Sequence, residues 1–160
     1  MDIKIRFAIV DDTALILRFI KELAEYEEIL HTVVATEEIL MERIFGTQKY
    51  VDVVLAFVNN IPAGYIAFSY SFSTFLGKPG IYLENLYVTP NMRRKGVAKR
   101  LLSFLANIIL ERDYGRLELA VLEWNKSTIN FYEKIGAKPI QGLIIERFTK
   151  ESIEELIKLI

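Results

Sequence analysis

Cysteine is absent from this chain, and with it go disulfides, thiolate-bound zinc and a cysteine nucleophile. Histidine is almost absent: His31 is the single one, so a histidine metal cluster is excluded and a serine triad would hang on that residue alone. It reads as an ordinary loop histidine, and no metal site is expected. No apolar run approaches the length of a membrane span. The opening MDIKIRFAIV carries an early acid and lacks the apolar stretch of a signal peptide, so a cytoplasmic protein is expected. An excess of one charge is also missing. The net charge is −1, which gives no reason for general attraction to nucleic acid or membranes, so any anion site must be local.

What is present suits one α/β domain over residues 1–160, long enough to bury a core without staples. The apolar fraction, 52%, is slightly above the usual range and leaves surplus apolar surface for a subunit interface. Ile3, Ile5 and Phe7 alternate with Lys4 and Arg6, the period of a half-buried strand. Asp11-Asp12-Thr13 offers cap chemistry for a helix to about Leu30, whose tail carries Glu22, Glu25, Glu27 and Glu28 around Tyr26. That acidic tail is a solvated face or an attractor of a cationic substrate.

Thr36 caps a short helix to about Phe45, and Asn59-Asn60 separates two β-prone stretches, Tyr50 to Val58 and Ile61 to Phe72. A loop from Ser73 to Gly80 leads to a strand over Ile81 to Thr89. A helix from Lys95 to Arg112 follows, burying Val97, Leu101, Leu102, Leu105 and Ile108, then a strand over Leu117 to Leu122. Asn125 opens a helix that Gly136 closes, Leu143 to Phe148 reads as a last strand, and Ser152 with Glu155 boxes a C-terminal helix. The order is β-α-α-β-β-β-α-β-α-β-α, a mixed central sheet flanked by helices.

Chemistry concentrates in IYLENLYVTPNMRRKGVAKRLL, Ile81 to Leu102. A helix start there, with small Gly96 and Ala98 among Arg93, Arg94, Lys95, Lys99 and Arg100, is either a phosphate-binding N-terminus or a basic surface turn. It lacks the spacing of a P-loop and the three glycines of a dinucleotide fingerprint. Glu84 interrupts an apolar strand, where burial would raise its pKa and suit a general base; a partnered structural carboxylate is the plain alternative. Tyr132, on the helix after Trp124-Asn125, is a core tyrosine on composition alone.

Arg93-x-x-Gly96-x-Ala98 resembles the Arg/Gln-x-x-Gly-x-Gly/Ala signature of the GNAT superfamily of acetyl-CoA-dependent N-acetyltransferases. ELAEYE (22–27), the stretch 77–88, and LAVLEWN (119–125) running through Asn130-Phe131-Tyr132 to Gly136-Ala137 narrow the likeness to the diamine (spermidine/spermine) and thialysine acetyltransferase group. The resemblance implies a GNAT-like fold, acetyl-CoA as co-substrate, and a homodimer, with which the apolar C-terminal helix is compatible. It implies that Arg93, Arg94, Lys95, Gly96, Val97, Ala98 and Lys99 hold the pyrophosphate. Leu86 and Val88 would pair with the pantetheine arm, one of their N–H groups polarising the thioester carbonyl, and Asn125 would touch the cofactor. Glu84 would act as base and Tyr132 as acid, with Tyr26, Glu27, Phe75, Glu84 and Asn85 around the acceptor amine.

Polyamine-acetylating relatives carry acids where this chain has Asn85 and Ser73, and a Trp where it has Phe75, which lowers the attraction for a long polycation. The acceptor implied is a small-molecule amine: a diamine, a polyamine or a thialysine-like amino acid. Three other readings stand beside it. One is a protein N-terminal or lysine acetyltransferase on the same scaffold. Another is a non-catalytic acyl-CoA-binding module, which retention of Glu84 and Tyr132 opposes. The last is a nucleic-acid patch at residues 93–100, weakly supported in a near-neutral chain.

Overall fold

In the computed structural model, which describes residues 1–159, the alternating N-terminal residues form the first strand, β1 (Ile3–Phe7). The unit Met1–Ala120 continues with α1 (Thr13–Tyr26), α2 (Glu37–Phe45), β2 (Asp52–Val58), β3 (Ile61–Ser73), β4 (Lys78–Val88), α3 (Val97–Glu111) and β5 (Leu117–Leu119). A second unit, Val121–Ile160, carries α4 (Lys126–Lys134) and α5 (Lys150–Leu156). The sheet follows chain order, β1-β2-β3-β4-β5, antiparallel throughout except for the parallel pair β4–β5. Asn59 and Asn60 both take positive φ, 50° and 65°, which two-residue hairpin turns require and asparagine tolerates.

Strand alternation sorts the two faces of this sheet. Val53, Leu55, Tyr65, Ala67 and Tyr87 pack with Ile16, Phe19 and Leu23 of α1 and Ile44 of α2. The Phe19 ring lies 5.7 Å from that of Tyr65 and 5.8 Å from that of Tyr87. On the opposite face Phe7, which pairs with Val54, meets Phe104 of α3 at 5.4 Å. The five α3 residues expected inside, Val97, Leu101, Leu102, Leu105 and Ile108, are all buried.

Several boundaries differ from expectation for local reasons. Helix α1 stops at Tyr26, not near Leu30, because Glu28 adopts φ 61° and the chain turns into a 3-10 segment at Leu30–Thr32. Asp12 does not cap α1. Its carboxylate takes the Ile9 N–H at 2.8 Å and a two-nitrogen contact from Arg6 at 2.7 and 2.9 Å, fastening β1 to the helix entry. The cap of α5 is Thr149, whose hydroxyl accepts from Ser152 N, while Glu155 pairs with Lys158.

The larger correction is at residues 143–148, which form no strand. Leu143, Ile144, Ile145 and Phe148 are exposed, Ile144 to 83%. β-branched side chains favour a strand only when a neighbouring edge supplies hydrogen bonds and a surface to pack on. Among the described residues that segment has no ladder partner.

Candidate functional site

Strand β4 carries one residue more than its partner. Ala67 pairs with Asn85 and Phe68 with Leu83, so Glu84 is the extra residue of a β-bulge. The burial expected of Glu84 is therefore absent: the bulge turns it out of the ladder, and it is exposed. It does have a partner, since Ser69 Oγ donates to its Oε1 at 3.0 Å. Ser69 follows Tyr65 and Ala67 at two-residue steps on β3, which puts this contact on the α1 face of the sheet.

Beyond the bulge the sheet opens. β5 pairs only with Ile81, Tyr82 and Leu83, while β4 runs on to Val88. A Cβ built on Gly64 would meet the Tyr87 carbonyl at 2.3 Å, so that carbonyl points to β3. By alternation the backbone groups of Leu86 and Val88 point the other way, to the edge that β5 leaves uncovered. An extended ligand arm can pair there as an added strand. One acceptor on it is engaged, because Arg93 Nε donates to the Val88 carbonyl at 3.1 Å.

The open edge leads into the basic loop. Arg94 and Gly96 take φ 60° and 84°, and α3 begins at Val97 with no side-chain cap. Its first-turn N–H groups thus lack the partner that Thr36 gives α2 and Asn125 gives α4. Nothing lies within 4 Å of a Cβ built on Gly96. Arg94, Lys95, Lys99 and Arg100 are exposed, and none is in an ion pair among the described residues. Arg93 stands apart: its guanidinium lies over the Tyr26 ring at 4.9 Å, a contact that ties the loop to the end of α1.

On that α1 face Glu27 is half-buried, and burial pushes its pKa up. Tyr65 beside it is fully buried, its hydroxyl without a partner among the described residues; burial first, and then the Glu27 charge, raises its pKa. A cavity of about 600 Å³ opens where α1 passes the end of β4, lined by residues that include Arg18, Glu22, Glu25, Tyr26, Tyr87 and Arg93. The Tyr87 phenol is pushed up to about 12 by burial and by its hydrogen bond with Glu22. Asn85, half-buried, lies along the same face.

In the second unit Tyr132 is buried in α4, its ring 5.3 Å from that of Phe131, and burial pushes its pKa up to about 12. Asn125 is buried and serves as the α4 cap, its Oδ1 accepting from Thr128 N at 3.3 Å. Phe75 is fully exposed in the β3–β4 turn, and Ser73 closes that turn by accepting from Leu76 N. The first unit thus brings together Glu84, Asn85, Leu86, Val88, the 93–99 loop, Tyr26 and Glu27, and leaves Phe75 outside. Sequence reading missed Ser69, Tyr65, Arg18 and Tyr87. The alternation of β3 could have found the first two, since Tyr65, Ala67 and Ser69 share the face to which the bulge turns Glu84. The chain holds no group of three or more potential metal ligands among the described residues.

Residues 17–137 match the Acetyltransferase (GNAT) family. The chain is 34% identical to a thialysine N-epsilon-acetyltransferase of Bos taurus, with 96% of each covered. It is 26% identical to an L-ornithine N5-acetyltransferase of Arabidopsis thaliana over 98% of this chain and 88% of that one. Among solved structures, an integron cassette protein from the mobile metagenome of V. cholerae superposes with a TM-score of 0.82 at 23% identity, covering 99% of both chains.

Proposed function

Because the chain belongs to the GNAT family of acetyltransferases, we propose that it transfers the acetyl group of acetyl-CoA to the primary amine of a small molecule, a diamine, a polyamine or a thialysine-like amino acid. The observation that carries this reading is the uncovered edge of β4, which has Glu84 at one end and the uncapped start of α3 at the other. The residues present fit the co-substrate. The free N–H groups of the α3 first turn, with Arg94, Lys95 and Lys99, suit a pyrophosphate, Gly96 allows close approach, and Leu86 and Val88 offer backbone to the pantetheine arm. Arg93 acts by holding Val88 and Tyr26 in place.

An alkyl amine with a pKa near 10.4 is neutral in about one molecule in 2,500 at pH 7, a cost of about 4.6 kcal/mol. Glu84, exposed and oriented by Ser69, takes that proton directly or through water. The neutral amine then attacks the thioester carbonyl, and a β4 N–H stabilises the oxyanion. The tetrahedral adduct then collapses: the C–S bond breaks, the sulfur leaves as thiolate with a hydrogen bond from Tyr132, and the nitrogen passes its second proton to water, leaving the neutral amide. Transfer is direct, in a ternary complex, since the chain has no cysteine to carry the acyl group.

Asn125 and Tyr26, Glu27 and Asn85 complete the reading as cofactor and acceptor contacts. A cytoplasmic homodimer is part of it, favoured by the exposed apolar residues between Leu143 and Ile157; light scattering that returns a monomer removes that part. The main test is thiol release from acetyl-CoA against a panel of amines: polyamines, thialysine, lysine, ornithine and short peptides. Release stimulated by small amines is expected. A panel without any stimulation sinks the proposal, and stimulation by peptides alone moves it to a protein acetyltransferase.

A further inference from the structure

The cavity between α1 and the end of β4 carries both signs of charge at close range. Arg18 and Arg93 line it together with Glu22 and Glu25, and Tyr26 and Tyr87 form its aromatic walls. The Arg18–Glu22 pair is loose, 3.5 Å from Nε to Oε1, with the Arg18 side chain 55% exposed. Such a pair contributes little to stability, so giving it up for a ligand costs little. Arg93 spends Nε on the Val88 carbonyl and leaves the rest of its five-donor fork. A hydrogen bond with Tyr87 holds Glu22.

Two cations and two anions around one space suit neither a polycation nor a plain anion. They suit a ligand with an ammonium and a carboxylate on one carbon. We propose that this cavity binds the α-amino and α-carboxylate groups of an amino-acid acceptor, with Arg18 and Arg93 on the carboxylate and Glu22 and Glu25 on the ammonium. The inference rests on the acetyltransferase reading above and adds to it the acceptor class and the residue, Arg18, that selects it.

The distances agree. Tyr87 lies three residues beyond Glu84 on β4, about 10 Å away, and both face α1. A lysine-like side chain places its amine about 6 Å from its α-carbon, five bonds of about 1.5 Å in zigzag, and the carboxylate extends the reach at the other end. The side-chain amine of such a ligand arrives beside Glu84 while its α-carbon sits in the cavity. A diamine of equal length still offers an ammonium to Glu22 and Glu25 but brings no anion for Arg18 and Arg93, whose repulsion it meets uncompensated.

The test compares L-lysine and L-ornithine with their decarboxylated counterparts, pentane-1,5-diamine and butane-1,4-diamine. The enzyme is expected to favour the amino acids in kcat/KM, and Arg18→Ala to lower their kcat/KM at least about tenfold more than that of the diamines, with the KM for acetyl-CoA unmoved. Arg18→Glu is expected to reverse the preference. Calorimetric titration of L-lysine into the protein reads the same loss without turnover. Equal use of lysine and pentanediamine, or a fall in Arg18→Ala that is the same for both or that lies in the acetyl-CoA KM, overturns the inference while leaving the transferase intact. Should no amine be acetylated while lysine binding still depends on Arg18, the transferase reading fails and the subsite stands.

Discussion

Burial gives Tyr132 a pKa of about 12, so it stays protonated across the physiological range and serves as a hydrogen-bond donor. A thiolate whose conjugate acid has the ordinary pKa near 8.5 is too weak a base to take its proton outright. In the proposed reaction the phenol supplies the departing sulfur with a short, charge-assisted hydrogen bond as negative charge builds. Tyr132→Phe is accordingly expected to lower kcat by about 10² to 10³, what a lost transition-state donor costs, with little change in the KM for acetyl-CoA. Glu84→Gln acts on the other limb. It is expected to lower kcat/KM for the amine by about 10² to 10⁴. Should kcat/KM survive in Glu84→Gln, the base is another group, and Glu27, raised by burial on the same face, becomes the candidate.

The entry of α3 works as an element. Two residues of its approach, Arg94 and Gly96, sit at positive φ, and only one is glycine. A side chain in the left-handed region costs about 1–2 kcal/mol, partly offset by the entropy glycine loses on folding. Arg94→Gly should therefore be more stable than Arg94→Ala by about 1 kcal/mol, both having lost the same cation. Thermal unfolding of the two, beside acetyl-CoA titration, checks this: equal midpoints refute the strain, and unchanged affinity in both refutes the phosphate role.

Elements such as α3 were legible in the sequence because helical spacing of Val97, Leu101, Leu105 and Ile108 is local information. Asn59-Asn60 and the Thr36 cap were legible for the same reason. The bulge at Glu84 was not, since it exists only relative to the register of β3, and neither was the premature end of β5, which opens the site. Residues 143–148 failed in the other direction: strong β propensity was visible, and the lack of a partner edge was not.

At the scale of the whole molecule, four phenols share one direction. Tyr65, Tyr70, Tyr87 and Tyr132 are all raised, chiefly by burial, and Tyr70 also donates to Asp52 at 2.6 Å. An unfolded tyrosine ionises near pH 10, while three of these hold their proton to about 12 and Tyr65 holds it further still. Below pH 10 their contribution is therefore intact, and it is lost as pH rises from 10 through 12. For Tyr132 alone the rise from 10 to about 12 corresponds to about 3 kcal/mol. Denaturant midpoints are expected to be level up to about pH 9.5 and then to fall steeply; a midpoint unchanged at about pH 11.5 would show that the phenols are not buried in this way.

The bulge has one more consequence, for how fold and chemistry are separated. A strand is a counter of period two: each residue sends its side chain to one face and its neighbour to the other. Glu84 is the surplus count. With it removed, Leu83 would join Asn85 in an uninterrupted alternation, Leu83 still towards α3 and Tyr87 still towards α1, and every pair from Gly64–Val88 to Ser73–Lys78 would keep its partner. The residue proposed to take the proton is thus the one residue of β4 that the arithmetic of the sheet does not require. In a lineage carrying this fold, activity at this position is open to gain or loss by a single-codon insertion or deletion, with the architecture undisturbed.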